Sequence, residues 1–181
     1  MGLPKFLYTL RTSAPNDIPA ALKAFDELIH RTLVRILGGH AISTTAYTQS
    51  TLPLRLGGLG LRSAREHAPC AFLGSLCKTS SLQLNITNVL PPINAADEPN
   101  LLRHQTTPCL LSFTATTTST SDNPVSWAFI CSHAKPQQYC SSLVDAIVLK
   151  KLRATVVGSP VDLARLLSLS LPFASDPFAF L

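Results

Sequence analysis

The cysteine and histidine residues are the side chains of this sequence that could carry nucleophilic or metal chemistry. His67 and Cys70 are three positions apart in a segment of helical character, so they could form a nucleophile–base pair, although no orienting acid accompanies them. Cys131, His133 and Cys140 come nearest to a zinc set, but they lack a second close pair of ligands. An odd count of five cysteines favours free thiols. The sequence therefore predicts no catalytic residue, no metal site and no cofactor.

A glycine-rich stretch is the second feature with possible chemistry. Residues 52–62 read Leu-Pro-Leu-Arg-Leu-Gly-Gly-Leu-Gly-Leu-Arg. Glycine loops can cradle phosphate groups, but this spacing matches neither G-x-G-x-x-G nor the Walker pattern, and no Lys-Ser/Thr pair follows. Because glycine reaches turn conformations without steric cost, a tight, packed turn is favoured over a nucleotide loop.

The basic residues are distributed unevenly along the chain. The net charge of +5 lies within residues 1–78, since basic and acidic residues balance in 79–181. This asymmetry is compatible with nucleic-acid contact, and a solvated basic face is the alternative. A helix N-terminus at Ser63 and Ala64 would also favour a phosphate there. Candidate contacts to a nucleic-acid backbone are Arg55, Arg62, Arg65, Arg31, Arg35 and Lys23.

Composition and segment lengths exclude several classes of protein. Hydrophobic residues make up 46% of the chain, which is too apolar for a disordered protein. Charged residues make up 14%, against about 25% in a typical soluble domain. No stretch approaches the roughly 20 apolar residues of a membrane span, and the start lacks a secretory signal. We therefore expect an intracellular protein, in the cytoplasm or nucleus, with neither a membrane nor a small-molecule substrate as its partner.

The apolar periodicity predicts a mostly α fold, a small helical bundle interrupted by a long irregular segment rich in Pro, Ser and Thr. Asp17 is the expected N-cap of the longest helix, and Gly38-Gly39 is expected to end it. Ser63-Ala-Arg-Glu66 has the pattern of a capping box, which begins the next helix. Helices are predicted near 18–37, 63–78, 137–154 and 160–168.

Three zones follow from these patterns. Residues 1–80 form a helical, basic region, and 81–135 form an irregular, linker-like segment. Short strands within that segment are predicted around Leu110–Phe113 and Trp127–Ile130, since β-branched and aromatic residues favour strands. Residues 136–181 form a C-terminal helical segment whose apolar tail suggests truncation.

Three segments carry a resemblance to a known family. They are Pro4-Lys-Phe-Leu-Tyr-Thr-Leu-Arg-Thr-Ser13, the string L-P-x-x-x-G-G-L-G-[LI]-R-S-A over 52–64, and His67-Ala-Pro-Cys-Ala-Phe-Leu73. In this order they resemble the thumb and connection region, C-terminal to the polymerase core, of reverse-transcriptase-like proteins from non-LTR retrotransposons. The resemblance is good over 1–78 and patchy beyond.

This resemblance implies a non-catalytic fragment that contacts template–primer nucleic acid through its basic N-terminal half. RNA or DNA and a polymerase core upstream of Met1 are then the expected partners. The alternative is a structural or protein-interaction remnant without independent activity.

The purified chain is expected to lack polymerase activity. Polymerases of this family use two metal ions held by palm aspartates, which include an Asp-Asp pair, and this sequence contains no Asp-Asp. A primer-extension assay with Mg²⁺ or Mn²⁺ should therefore yield no longer product. Extension that disappears when one of the chain's own acids is mutated would contradict this expectation.

Overall fold

The computed structural model describes residues 3–89, 109–115, 117, 126–156, 161 and 164. Within these ranges the backbone is helical or turn-like and contains no strand, so the predicted mostly α class is confirmed. No helix in the described part combines the length and apolar character needed to cross a membrane. The principal helices are α1 (Leu3–Thr12), α2 (Pro19–Ile36), α3 (Thr44–Thr51), α4 (Ala64–Val89), α5 (Trp127–Ser132) and α6 (Pro136–Val156).

The two ends of α2 test the local signals in the sequence. Gly38 and Gly39 have φ angles of 78° and 83°, and the Gly39 N–H donates to the Val34 carbonyl at 2.9 Å, so the predicted stop is confirmed. The predicted N-cap is wrong, because Ile18 rather than Asp17 occupies that position. Asp17 instead ends a short 3₁₀ helix that starts at Pro15, which moves the first turn of α2 one residue along the chain.

The middle of the chain departs most from prediction. The long helix α4 continues to Val89, past the predicted boundary at residue 80. The strands predicted around Leu110–Phe113 and Trp127–Ile130 are wrong, because 109–115 is helical and Trp127 begins α5. Burial of Phe113 and Ile130 against other helices outweighs their strand propensity. Of the helix predicted over 160–168, only 161 and 164 are described and both are helical, while the tail lies outside the described residues.

Helix α4 is the central element of the core. It packs against α1, α2, α5 and α6, and it supplies buried residues to two apolar clusters. The first cluster joins α4 to α5 and α6, and Trp127 packs on its edge. The second cluster joins α4 to α1 and α2, while a third, smaller cluster seats Leu52 against the C-terminal half of α6. Every helix that carries a candidate site residue is therefore held by α4 or connected directly to it.

The glycine-rich stretch forms a packed turn, as the sequence predicted. The N–H groups of Leu59 and Leu61 both donate to the Ser50 carbonyl at 3.1 Å, and the Gly60 N–H donates to the Leu52 carbonyl at 2.8 Å. A Cβ atom at Gly58 would collide with the Leu52 carbonyl, so this position needs glycine for space. The turn folds back onto the end of α3 and thereby fixes the loop that leads into α4.

A second glycine sets the distance between α4 and α6. A Cβ atom built on Gly74 would lie 2.6 Å from the Gln137 Cβ and 2.8 Å from its Cα. Because the obstruction is mostly backbone, no rotamer change of Gln137 removes it. The two helices can therefore approach this closely only when residue 74 has no side chain.

Gly74→Ala should destabilise the protein by about 1–3 kcal/mol through this overlap. The sign is diagnostic, since alanine in an open helix position would stabilise by about 1 kcal/mol relative to glycine. Urea unfolding followed by circular dichroism measures the difference. The neighbouring Ser75→Ala change should stay within about 0.5 kcal/mol of the parent. A Gly74→Ala variant more stable than the parent would show that α4 and α6 do not meet closely there.

Candidate nucleic-acid interface

A buried carboxylate gathers two of the six predicted arginine and lysine contacts. Asp145 in α6 is 2% exposed, and its Oδ2 atom lies 2.8 Å from the Arg62 Nη2 atom. The Arg55 Nη2 atom lies 3.6 Å from the same oxygen, and the side chain of Arg55 is 62% exposed. His67 completes the group, with Nε2 at 3.3 Å from Asp145 Oδ1. The folded chain thus uses Arg62, and in part Arg55, to neutralise an internal charge.

The hydrogen bonds of His67 define the order within this network. Its Nδ1 atom lies 3.1 Å from the Ser63 carbonyl oxygen, which can only accept, so Nδ1 is assigned the hydrogen. Its Nε2 atom then accepts from Arg62 Nη1 at 2.8 Å. Arg62 consequently donates to the imidazole with one nitrogen and to the Asp145 carboxylate with the other. This arrangement ties the first turn of α4 to the middle of α6.

The thiol chemistry that His67 and Cys70 could have supported is absent from this geometry. Both ring nitrogens of His67 are engaged by Ser63, Arg62 and Asp145, and Cys70 is fully buried. Burial raises the pKa of the Cys70 thiol well above its usual value, and neighbouring Cys140 raises it further. Since the thiolate is the nucleophile, a thiol held protonated does not act as one.

The remaining cysteines are also structural in their surroundings. All five are free thiols, and burial raises the pKa values of Cys109 and Cys140 to about 12. Across the described segments no three His, Cys, Asp or Glu side chains converge in an arrangement suited to a metal ion. These thiols contribute to the apolar cluster around α4, α5 and α6.

The N-terminus of α4 already holds an anion, and that anion is part of the protein. Asp26 in α2 accepts from the Ala64 N–H and from the Ser63 hydroxyl, each at 2.6 Å, and from the Arg65 N–H at 3.4 Å. The predicted phosphate position at Ser63 and Ala64 is therefore wrong, because the Asp26 carboxylate occupies it. The capping box itself is confirmed, with the Glu66 N–H donating to Ser63 Oγ at 3.3 Å.

Three other predicted contacts come together in one groove. Lys23, Arg31 and Arg65 line a cavity of about 620 Å³ along α2, α3 and the start of α4. Glu27 lies 3.8 Å from Lys23 on the exposed side, and Arg31 donates through Nε to the Glu27 carbonyl at 3.4 Å. Arg35 lies outside this lining on the last turn of α2. Within the described residues, no carboxylate lies within 4 Å of the Arg31, Arg35 or Arg65 side chains.

The structure thus separates the six predicted residues by role. Arg62 and Arg55 pair with Asp145, the three groove residues lie together, and Arg35 lies apart from them. Sequence reasoning missed Asp26 and Asp145, the two acids that organise the site. Local spacing carries no signal for either contact, because Asp26 bonds 38 residues away and Asp145 bonds 83 residues away.

Arg62→Ala should destabilise the protein by about 2–4 kcal/mol, because it leaves Asp145 buried with its close partner removed. Arg65→Ala, which removes an exposed side chain of the same type, should stay within about 0.5 kcal/mol. Chemical unfolding of both variants makes the comparison. Adding Asp145→Asn to Arg62→Ala should recover part of the loss, since the unpaired charge disappears. Equal stabilities for the two alanine variants would return Arg62 to the set of available surface cations.

Comparison with known proteins adds no family to this description. The chain matches no family model, no curated protein and no solved structure. The likeness to retrotransposon reverse-transcriptase-like proteins accordingly depends on the motifs within 1–78. What the site can bind is argued below from its own charges and geometry.

Proposed function

We propose that this chain is a non-catalytic, helical part of a reverse-transcriptase-like protein that contacts the sugar–phosphate backbone of template–primer nucleic acid. The observation that carries the proposal is the groove in which Lys23, Arg31 and Arg65 face one space from two different helices. In the proposed assembly a separate polymerase core, upstream of Met1, supplies the catalytic metal site. The groove supplies affinity without chemistry.

The charge balance in this groove supports an anionic partner. Asp26 lies in its lining, but the N-terminus of α4 and the Ser63 hydroxyl already satisfy this carboxylate. The Lys23–Glu27 pair is 69% and 55% exposed and spans 3.8 Å, so exchanging Glu27 for a phosphate costs little. Arg31 bonds only a neutral carbonyl through Nε, and the planar guanidinium suits bidentate phosphate contact.

The aromatic residues near the groove support backbone contact over base recognition. The Tyr47 hydroxyl donates to the Asp26 carbonyl at 3.3 Å, and its ring meets His30 edge-on at 4.6 Å. Phe6 and Phe25 stack on each other at 4.7 Å beside the second apolar cluster. Because these rings are engaged within the protein, bases lack a ready stacking platform there. Contacts to phosphate position a protein on nucleic acid but do not read sequence.

A protein-interaction role is the second candidate, and one observation favours it. Helix α2 and its end expose large apolar side chains, with Leu28 at 55%, Ile36 at 75% and Leu37 at 50% exposure. In a polymerase assembly such residues would be covered by the core. This candidate predicts that Leu28→Gln/Ile36→Gln weakens binding to a polymerase core in a pull-down while leaving nucleic-acid affinity unchanged.

Nucleic-acid affinity should fall with salt in a way that reports the groove. For a short RNA–DNA duplex, Arg31→Gln/Arg65→Gln should reduce the slope of log affinity against log salt by about one to two units, since each lost phosphate contact removes nearly one unit. Fluorescence anisotropy over a salt series measures the slope. Unrelated duplex sequences should bind about equally well.

A charge-matched control separates the groove from net charge. Lys151→Gln/Arg153→Gln removes two exposed charges near the end of α6 and should leave the slope close to that of the parent. No measurable binding by the parent at low salt would overturn the proposal. So would an equal change of slope in the groove variant and the control variant.

A further inference from the structure

A second cavity, away from the α2 groove, has a more one-sided charge. It has a volume of about 740 Å³ and lies between α1, α4 and the start of α6. Four basic residues line it, and its lining contains no acidic residue. They are Arg11 in α1, Arg62 before α4, Lys78 in α4 and Lys135 before α6. Two of the four lie outside the residues that the charge distribution had singled out, one in each half of the chain.

Two of these cations are held in place by neutral acceptors. Arg11 donates to the Gln137 Oε1 atom from Nη2 at 2.8 Å and from Nε at 3.2 Å. The Lys78 Nζ atom donates to the Ala134 carbonyl at 2.7 Å. These bonds restrict the side chains without cancelling their charges. An ordered cation loses less conformational entropy when a ligand binds, which favours affinity.

The positive charge at this cavity is not compensated by nearby acids. In the described part of the chain, no carboxylate lies within 4 Å of the Arg11, Lys78 or Lys135 side chains. Arg62 differs, since its charge is balanced by Asp145 at 2.8 Å. Roughly three positive charges from separate segments therefore face one space, and their mutual repulsion is relieved by a multiply charged anion.

We propose that this cavity binds a phosphate-bearing ligand with at least two negative charges. Ser75 and Gln138 add neutral donor groups to the lining, which suit phosphate oxygens. The volume falls within the range of small-ligand pockets and exceeds what a single inorganic phosphate fills. The ligand is therefore a free phosphate ester of nucleotide size or a stretch of polynucleotide backbone. The inference does not depend on the α2 groove, which shares none of these lining residues.

Calorimetric titration of the full chain with inorganic pyrophosphate, and separately with a short RNA–DNA duplex, tests this site. Arg11→Gln/Lys78→Gln should weaken binding about tenfold, as expected for two lost charge-assisted hydrogen bonds. The control Lys151→Gln/Arg153→Gln removes the same residue types elsewhere and should bind like the parent. Arg31→Gln/Arg65→Gln should leave pyrophosphate affinity unchanged, which separates this site from the α2 groove.

A second variant protects the test against loss of folding. Gln138→Glu keeps the side-chain size and places a carboxylate in the lining, within the first turn of α6 where negative charge is favourable. It should retain the thermal stability of the parent and bind the same probe several-fold more weakly.

The two probes also distinguish the sources of phosphate. Pyrophosphate binding that both cavity variants weaken supports a site for free phosphate esters. Weakening confined to the duplex arm supports a polynucleotide backbone as the ligand. The proposal is overturned if the cavity variants bind both probes as tightly as the Lys151→Gln/Arg153→Gln control does.

Discussion

The burial of Asp145 is the constraint on which the arrangement of this molecule depends. A carboxylate at 2% exposure is too costly to leave unpaired, and its close partner Arg62 lies at the end of the glycine-rich turn. Arg62 can reach it only if the turn folds onto α3 and delivers the chain to α4 beside α6. His67, accepting from Arg62, fixes the first turn of α4 in the same contact. One ion pair thus defines how the turn, α4 and α6 meet.

Asp26 has the same function for α2. Its carboxylate caps α4 from a different helix, so α2 cannot shift along α4 without exposing the Ala64 N–H and the Ser63 hydroxyl. Both organising acids therefore act on the same short stretch, residues 62–67. Apolar packing of α1, α2 and α6 on α4 supplies area, while these two carboxylates specify register. Since that stretch belongs to the string resembling retrotransposon proteins, the structure gives its arginine and serine a folding role.

Local signals in the sequence predicted the helices whose ends have chemical markers. The apolar stripe of α2, the Gly38-Gly39 stop and the Ser63 capping box each depend on residues within a few positions. Strands around Phe113 and Ile130 were predicted wrongly, because burial among helices decided their conformation and burial is a tertiary property. The partners of Asp26 and Asp145 were invisible for the same reason. Splitting the charge by chain position likewise concealed the cavity where Lys135 joins Arg11 and Lys78.

The distribution of acids explains where anion-binding surfaces arise in this protein. Charged residues make up only 14% of the chain, and ten acids face fifteen basic residues. Asp145 and Asp26 are committed to the two ends of one internal network, where they neutralise Arg62 and the N-terminus of α4. Cations elsewhere on α1, α2 and α4 consequently lack close acidic partners within the described residues. A fold that uses its few carboxylates internally leaves uncompensated positive charge on its surface, and both candidate anion sites are made of that remainder.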